Sequence, residues 1–372
     1  MSPRYDVAVI GGGLVGAALA FGLRALGSKL AVLDEGDVAH RAARGNFGLI
    51  WVQGKGAGYA PYGSWTQRSA REWPAFASTL LAETGIDIAL EQPGGLSVCL
   101  SRRELDARIA HLTSMLAQPG FERYRVDVLD RDAIAARAPS IGADVVGGTW
   151  TDLDGHCNPL KLLYALHAAL ANSRCAYRAQ HAVSRIEPRA GRFALSTPHG
   201  TFEAERVVVA AGLGTAALAP MVGIAAPVRP NKGQIIVLER LPRFLDFPIE
   251  TIRQTDEGTV LIGDSQQERG FDETLDVPVL AAMAERATRA FPHLRDARVV
   301  RSWAALRVMT PDGFPIYERS PAHAGAFVAA CHSGVTLAAA HARVLGPALL
   351  EGSVPDACAP FTTRRFDVPQ AA

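Results

Sequence analysis

Apolar and polar positions along the chain fall into several distinct rhythms. Short apolar runs at 7–10, 29–33, 206–212 and 326–330 read as strands, the first of them a buried parallel strand. Alternating patterns at 233–238 and 259–262 read as strands of a second sheet. Helical spacing marks 17–26, 279–290 and 335–350, and 75–145 reads as helices with a short strand at 95–100. No repeat, low-complexity segment or long linker interrupts this, so two interleaved domains are expected.

The first strand ends in Gly11-x-Gly13-x-x-Gly16, and the second ends in Asp34 and Glu35 about 20 residues on. This order is a dinucleotide-binding fingerprint. Gly11 permits the tight turn, Gly13 lets the backbone approach a pyrophosphate at the helix N-terminus, and Gly16 lets the helix press on the sheet. Leu14 and Val15 belong to the same turn. Asp34, after the second strand, is expected to accept hydrogen bonds from a ribose and to disfavour a phosphorylated one. The fingerprint alone does not separate NAD from FAD.

With 372 residues the chain is long enough for two domains around a shared crevice. Thirty-eight basic and thirty-seven acidic residues leave a net charge of +1 without a basic tract, which points to a small-molecule partner and away from nucleic acid. No apolar run has the length of a membrane span and the first core strand begins almost at once, so the chain reads as cytoplasmic. Cys99, Cys157, Cys175, Cys331 and Cys358 are scattered and never form a C-x-x-C pair, so they read as reduced thiols rather than disulfides, zinc ligands or cluster ligands. No metal site is expected.

Five blocks together resemble the D-amino acid oxidase superfamily of flavoproteins, which includes glycine oxidase and sarcosine oxidase. They are the fingerprint, Arg44-Gly-Asn-Phe-Gly48, Asp154-Gly-His-Cys-Asn-Pro159, the segment 227–234, and Arg301-Ser-Trp-Ala-Ala-Leu-Arg307 with His332-Ser-Gly334. Residues 45–56 and 258–264 are most similar to the beta subunits of opine dehydrogenase, hydroxyproline dehydrogenase and hydrogen cyanide synthase. The resemblance implies an α/β fold, with a Rossmann-like FAD-binding domain (1–72, 146–222 and 306–372) interleaved with an antiparallel-sheet α+β substrate domain (73–145 and 223–305).

The resemblance also implies site roles. Phe47, Gly48 and Leu49 match the segment that lies against the flavin ring and ribityl chain, where a branched side chain at Gly48 would collide with the ring, and Arg41, Arg44 and Asn46 just ahead of it are further cofactor-binding candidates. Val183, in a short strand leading to Ile186, addresses the adenine, and Ala211 with Gly212 closes the turn after the third strand. His332, Ser333, Gly334, Val335 and Thr336 place amides and a helix N-terminus at the flavin edge, where negative charge develops on reduction. Arg307 clamps the substrate carboxylate through its planar fork, although Val308 stands where the family usually has proline. Lys55, Lys232 and Tyr317 are further candidates for the same pocket, and His156 and His332 are candidate proton acceptors. The family's covalent attachment residues are lacking: 306–309 has no cysteine and His40 lies too far upstream, so the FAD is expected to be non-covalent.

The expected reaction is oxidation of the C–N bond of an amino acid, imino acid or opine-type secondary amine by hydride transfer to flavin N5. Three forms are expected to compete. The first is a beta subunit working with an alpha flavoprotein and small iron–sulfur subunits. The second is a free-standing oxidase producing hydrogen peroxide. The third is an inactive FAD-bearing scaffold. Loops at 59–65 and 243–255 are expected to shape the pocket.

Overall fold

The computed structural model of the protein describes residues 3–24, 27–36 and 42–367. Arg4–Ile10 pairs in parallel with Leu30–Leu33 on one side and Gly200–Val209 on the other. Ala176–Arg178 extends this sheet past Leu30–Leu33, and Ala326–Ala330 lies parallel to Gly200–Val209. Ile316–Arg319 closes that edge in antiparallel fashion. Successive side chains of the first strand alternate between two cores, with Val7 and Val9 in one and Ala8 and Ile10 in the other. Burial on both faces explains why these strands read as unbroken apolar runs.

A second, antiparallel sheet pairs Arg229–Arg240 with both Val299–Met309 and Thr259–Ile262. It is joined through a bridge between Leu96 and Ile249 to the strands Gly95–Cys99, Gly147–Thr151 and Asp127–Asp130. The helix Val277–Ala290 covers it, and Ala287 and Ala290 enter its core. Among the described residues no helix is long and apolar enough to cross a membrane.

Several expected boundaries change. The helix expected at 17–26 is Leu14–Leu23, beginning directly after Gly13. Residues 59–65 are not a loop, because Tyr59 caps the 25-residue helix Ala60–Thr84. Pro61 and Gly63 look like breakers in the sequence. Proline is favourable in a first helical turn, however, and a Cβ on Gly63 would stand 2.4 Å from the Phe121 ring. Trp65, Trp73, Phe76 and Leu80 carry this helix into the core beside Leu14–Leu23, so the expected boundary at 72/73 cuts a continuous element. The boundary at 305/306 likewise cuts the strand Val299–Met309.

The last helix begins at Ala338 rather than 335, and 334–337 are turns. The cause lies in the carbonyl of Thr336, which accepts Ser69 Oγ at 2.6 Å and Trp73 Nε1 at 3.1 Å. Ala340 N then donates to Ser69 Oγ at 3.2 Å, so a serine hydroxyl stands in for one helical hydrogen bond. After Ala340 the helix widens through a π turn at His341–Leu345 before Gly346–Leu350.

Candidate active site

A groove of about 340 Å3 runs over the C-terminal ends of the parallel strands. Gly11, Gly13, Leu14, Val15, Asp34, Glu35, Asn46, Val183, Ala211, Gly212, His332 and Gly334 line it, which unites twelve of the residues singled out in the sequence. Gly11 has φ +105°, and a Cβ there would lie 2.4 Å from the Ala210 carbonyl oxygen. Gly16 does not face the groove; a Cβ on it would come within 1.9 Å of the Gly11 carbonyl oxygen, so it fixes how the helix seats. Gly13 differs from both. A Cβ there would meet only Ala43 Cβ at 3.9 Å, so nothing in the chain itself demands glycine. Gly13 also caps the helix without a side-chain hydrogen bond, leaving first-turn amides for an anion. An open glycine beneath uncapped amides fits a dinucleotide pyrophosphate.

The two acids after the second strand divide their work. Asp34 is buried and accepts Gly12 N at 2.6 Å and Gly36 N at 2.8 Å, so it braces the glycine turn. Glu35 is exposed and faces the groove, where its carboxylate is suited to ribose hydroxyls. Val183 lines the groove from a loop ahead of the strand Arg185–Arg189, not from within a strand.

The groove continues past Asn46 and His332 into a cavity of about 420 Å3. Phe47, Leu49, Lys55, Arg307, Ser333, Val335 and Thr336 line it together. Arg307 comes from the long strand of the second sheet, where it stands opposite Asn231. Its Nη1 donates to Ser265 O at 2.8 Å and Asn231 Oδ1 at 3.2 Å. A Cβ on Gly233 would lie 2.4 Å from Nη1 and 2.8 Å from Nη2, so this glycine gives the guanidinium its seat. Burial lowers the pKa of Arg307, with Asp264 acting in the opposite sense.

Lys55 Nζ lies 3.2 Å from His332 Nε2 and 3.3 Å from Ser333 Oγ. Ser333 Oγ in turn meets Tyr62 OH at 2.6 Å. Burial lowers the pKa of Lys55 against the upward pull of Glu250 and Asp264. Burial first, then the nearby charges of Lys55 and Arg307, holds His332 well below the usual imidazole range and therefore neutral.

Three expectations are corrected, for Lys232, Tyr317 and His156. Lys232 points away from the cavity and pairs with Asp272 at 2.8 Å. Tyr317 is buried between Trp65 Nε1 at 3.2 Å and His341 Nε2 at 2.6 Å. His156 is not a proton acceptor for this cavity: it lies between Glu91 at 3.2 Å and Arg253 at 3.4 Å, and burial lowers its pKa. Gly48 has φ +94°, and a Cβ there would stand 2.5 Å from the Cys157 carbonyl oxygen. The chain's own packing therefore already demands that glycine. Arg44 is exposed and lines neither space, and Arg41 lies outside the described residues.

The cavity also uses residues that sequence reasoning missed, above all Gln53, Arg108, Glu250 and Asp264. Arg108 reaches Thr149 Oγ1 at 2.5 Å, Gln53 Oε1 at 3.1 Å and Glu250 Oε2 at 3.3 Å. Gln53 Nε2 donates to Asp154 Oδ2 at 2.8 Å, and Val52 N donates to Asp154 Oδ1 at 2.5 Å. Asp154 is fully buried, and burial pushes its carboxyl up to about 7. Gln53 and Asp264 lay in the 45–56 and 258–264 blocks and Glu250 in the loop 243–255 expected to shape the pocket, whereas Arg108 carried no sequence signal.

Residues 6–346 match the family model described as DAO, FAD dependent oxidoreductase. A protein of Agrobacterium tumefaciens (strain Ach5) named as one of the subunits of opine oxidase is 43% identical over 368 residues, spanning 99% of each chain. Hydrogen cyanide synthase subunit HcnC of Pseudomonas aeruginosa is 26% identical over 417 residues, spanning 100% of this chain and 99% of its own. The crystal structure of glycine oxidase from Geobacillus kaustophilus superposes with a TM-score of 0.89 at 27% identity, covering the whole of both chains. The groove, the fingerprint that builds it and these similarities agree that the chain belongs to the FAD-dependent oxidoreductase family and takes FAD as its cofactor.

Proposed function

We propose that the protein oxidises the C–N bond of an opine-type secondary amine, a molecule whose nitrogen joins two carbon chains that each carry a carboxylate. The observation that carries this reading is the placement of Arg307 and Lys55 around one cavity at the end of the FAD groove. Among the described residues neither cation is in an ion pair, so each has charge to offer a ligand. The similarity to a protein named for opine oxidase supports the same class.

Arg307 takes one carboxylate in a forked pair of hydrogen bonds, its angle set by Asn231 and Ser265 behind it. Lys55 takes the second carboxylate, and His332, held neutral, adds no competing charge. The clamp orients the C–H bond of the carbon beside nitrogen toward the groove. Non-covalently bound FAD supplies the oxidant at N5, and the residues at 332–336 sit where its ring edge is expected. Phe47 and Leu49 line the approach and restrict water. The chain then acts as the catalytic subunit of a larger dehydrogenase, with partner subunits receiving the electrons. We further propose that the parallel-sheet unit binds the cofactor and the antiparallel unit the substrate, with Ala60–Thr84 belonging to the former.

Anaerobic mixing of the FAD-loaded chain with amino acids, proline, sarcosine and N-(carboxyalkyl) amino acids tests this through bleaching of flavin absorbance. Selective bleaching by the last class is the expected result. Bleaching by simple amino acids alone overturns it. Admitting air then separates the two electron routes, because prompt return of colour with peroxide marks a free-standing oxidase and persistent bleaching marks a subunit that needs partners.

A further inference from the structure

The cavity contains a carboxylate that the clamp does not use. Asp264 follows the strand Thr259–Ile262 and adopts φ +79°, a left-handed conformation that side chains rarely take. Its neighbours are fixed on both sides. Gly263 N donates to Thr251 O at 2.9 Å, and a Cβ on Gly263 would stand 2.9 Å from the Phe47 ring. Ser265 Oγ accepts Gln234 N at 2.7 Å, and Ser265 O accepts Arg307 at 2.8 Å. Pinned between them, Asp264 presents its carboxyl to the cavity, and among the described residues it is in no ion pair. Backbone strain held in place by neighbours concentrates at functional sites.

We propose that Asp264 holds the substrate's amine nitrogen and accepts its proton. This rests on the secondary-amine reading above. A secondary amine arrives as an ammonium, whose nitrogen has no free electron pair to form C=N. Transfer to Asp264 breaks one N–H bond and forms an O–H bond on the carboxylate, leaving the electron pair on nitrogen. That pair becomes the second bond of the imine as the hydride departs from carbon to FAD. Arg307 and Asp264 line the same cavity, as the adjacent carboxylate and ammonium of an amino acid require. Glu250 is less suited, since its Oε2 already accepts Ser97 Oγ at 2.5 Å and Arg108 at 3.3 Å.

Burial first, then Glu250, raises the pKa of Asp264, with Arg307, Lys55 and a hydrogen bond from Gln266 acting the other way. A carboxylate tuned upward is a stronger base, which brings its proton affinity closer to that of the ammonium it is to relieve.

The test compares two non-oxidisable ligands on the FAD-loaded protein by calorimetry. One is iminodiacetate with both carbons beside nitrogen fully methylated, and the other is its ether counterpart. Wild type is expected to bind the amine about tenfold more tightly, the effect of one charge-assisted hydrogen bond. Asp264→Asn, which tolerates the left-handed backbone, and Asp264→Gly, which prefers it, are expected to lose that preference and to keep ether binding. A preference retained in both variants overturns the inference, as does equal binding of the two ligands by wild type, which leaves the dicarboxylate reading standing. Binding of neither ligand by wild type overturns that reading and the inference with it. As a second readout, the acid limb of the anaerobic bleaching rate in Asp264→Asn should move up to the amine's own pKa, while Glu250, Lys55, Arg307 and His332 are unchanged. An unmoved acid limb overturns the inference.

Discussion

The groove proposed for FAD and the cavity proposed for the substrate share Ala42, Asn46 and His332 but are built on opposite principles. The groove is walled mainly by backbone and small apolar side chains, with Asp34 and Glu35 among its few charges. The cavity brings together Lys55, Arg108, Glu250, Asp264 and Arg307 from segments far apart in the chain. A large cofactor is recognised by shape and by amides, which a local glycine pattern can encode. A small charged substrate is recognised by side chains that only folding assembles.

The contrast breaks most severely at the glycine turn. Gly16→Val is expected to abolish flavin retention, because its side chain would displace the Gly11 carbonyl 1.9 Å from the Cβ position. Absorbance of the purified protein near the flavin band reports this directly. Gly13→Ala, by contrast, meets only Ala43 at 3.9 Å, so the protein should fold and bind FAD about tenfold more weakly. Unaltered FAD affinity in Gly13→Ala would show that the pyrophosphate does not lie over this residue.

The cavity's foundation is predicted to be pH-sensitive. Burial raises the Asp154 carboxyl to about 7, so at mildly acidic pH the folded protein keeps a proton that the unfolded chain has released. Stability therefore falls as pH rises from the ordinary carboxylate range to about 7, by at most about 4 kcal/mol. Asp154→Asn should flatten that slope in urea unfolding measured across the window. An unchanged slope would show that the buried carboxyl does not retain its proton.

Replacing Arg307 with lysine keeps the charge but loses the fork. We expect a fall of about 30-fold in kcat/KM with the proposed opine-type substrate, read in steady-state assays, and little change in FAD affinity. A comparable loss in FAD binding would mean that groove and cavity are less separable than their linings indicate. The smallest effect is expected for Glu35→Gln, about 1 kcal/mol in FAD affinity by fluorescence titration, because an exposed carboxylate competes with water for the ribose.

Much of the molecule was legible in one dimension. The parallel strands, the fingerprint and the family resemblance came from local apolar runs and glycine spacing, and twelve of the expected residues line the groove. Lys55 and Arg307 were legible through resemblance. Lys232 and Tyr317 look equally suitable in sequence, yet the pairing of Lys232 with Asp272 and of Tyr317 with His341 turns them elsewhere. The reverse holds for Arg108, which sits in a segment without any motif, and in part for Glu250, whose loop 243–255 was expected at the pocket but whose own position carried no motif.

By itself, then, the sequence determined which segments form strands, where the glycine turn opens a groove and which family the chain resembles, because these follow from interactions a few residues apart. Tertiary structure alone decided that Asp34 braces the turn while Glu35 faces the groove, and that a serine hydroxyl delays the last helix to Ala338. It also decided that Asp264 and Glu250 share a cavity with Arg307. Those outcomes depend on which distant side chain claims each donor, acceptor and charge, and the order of residues along the chain does not specify that claim.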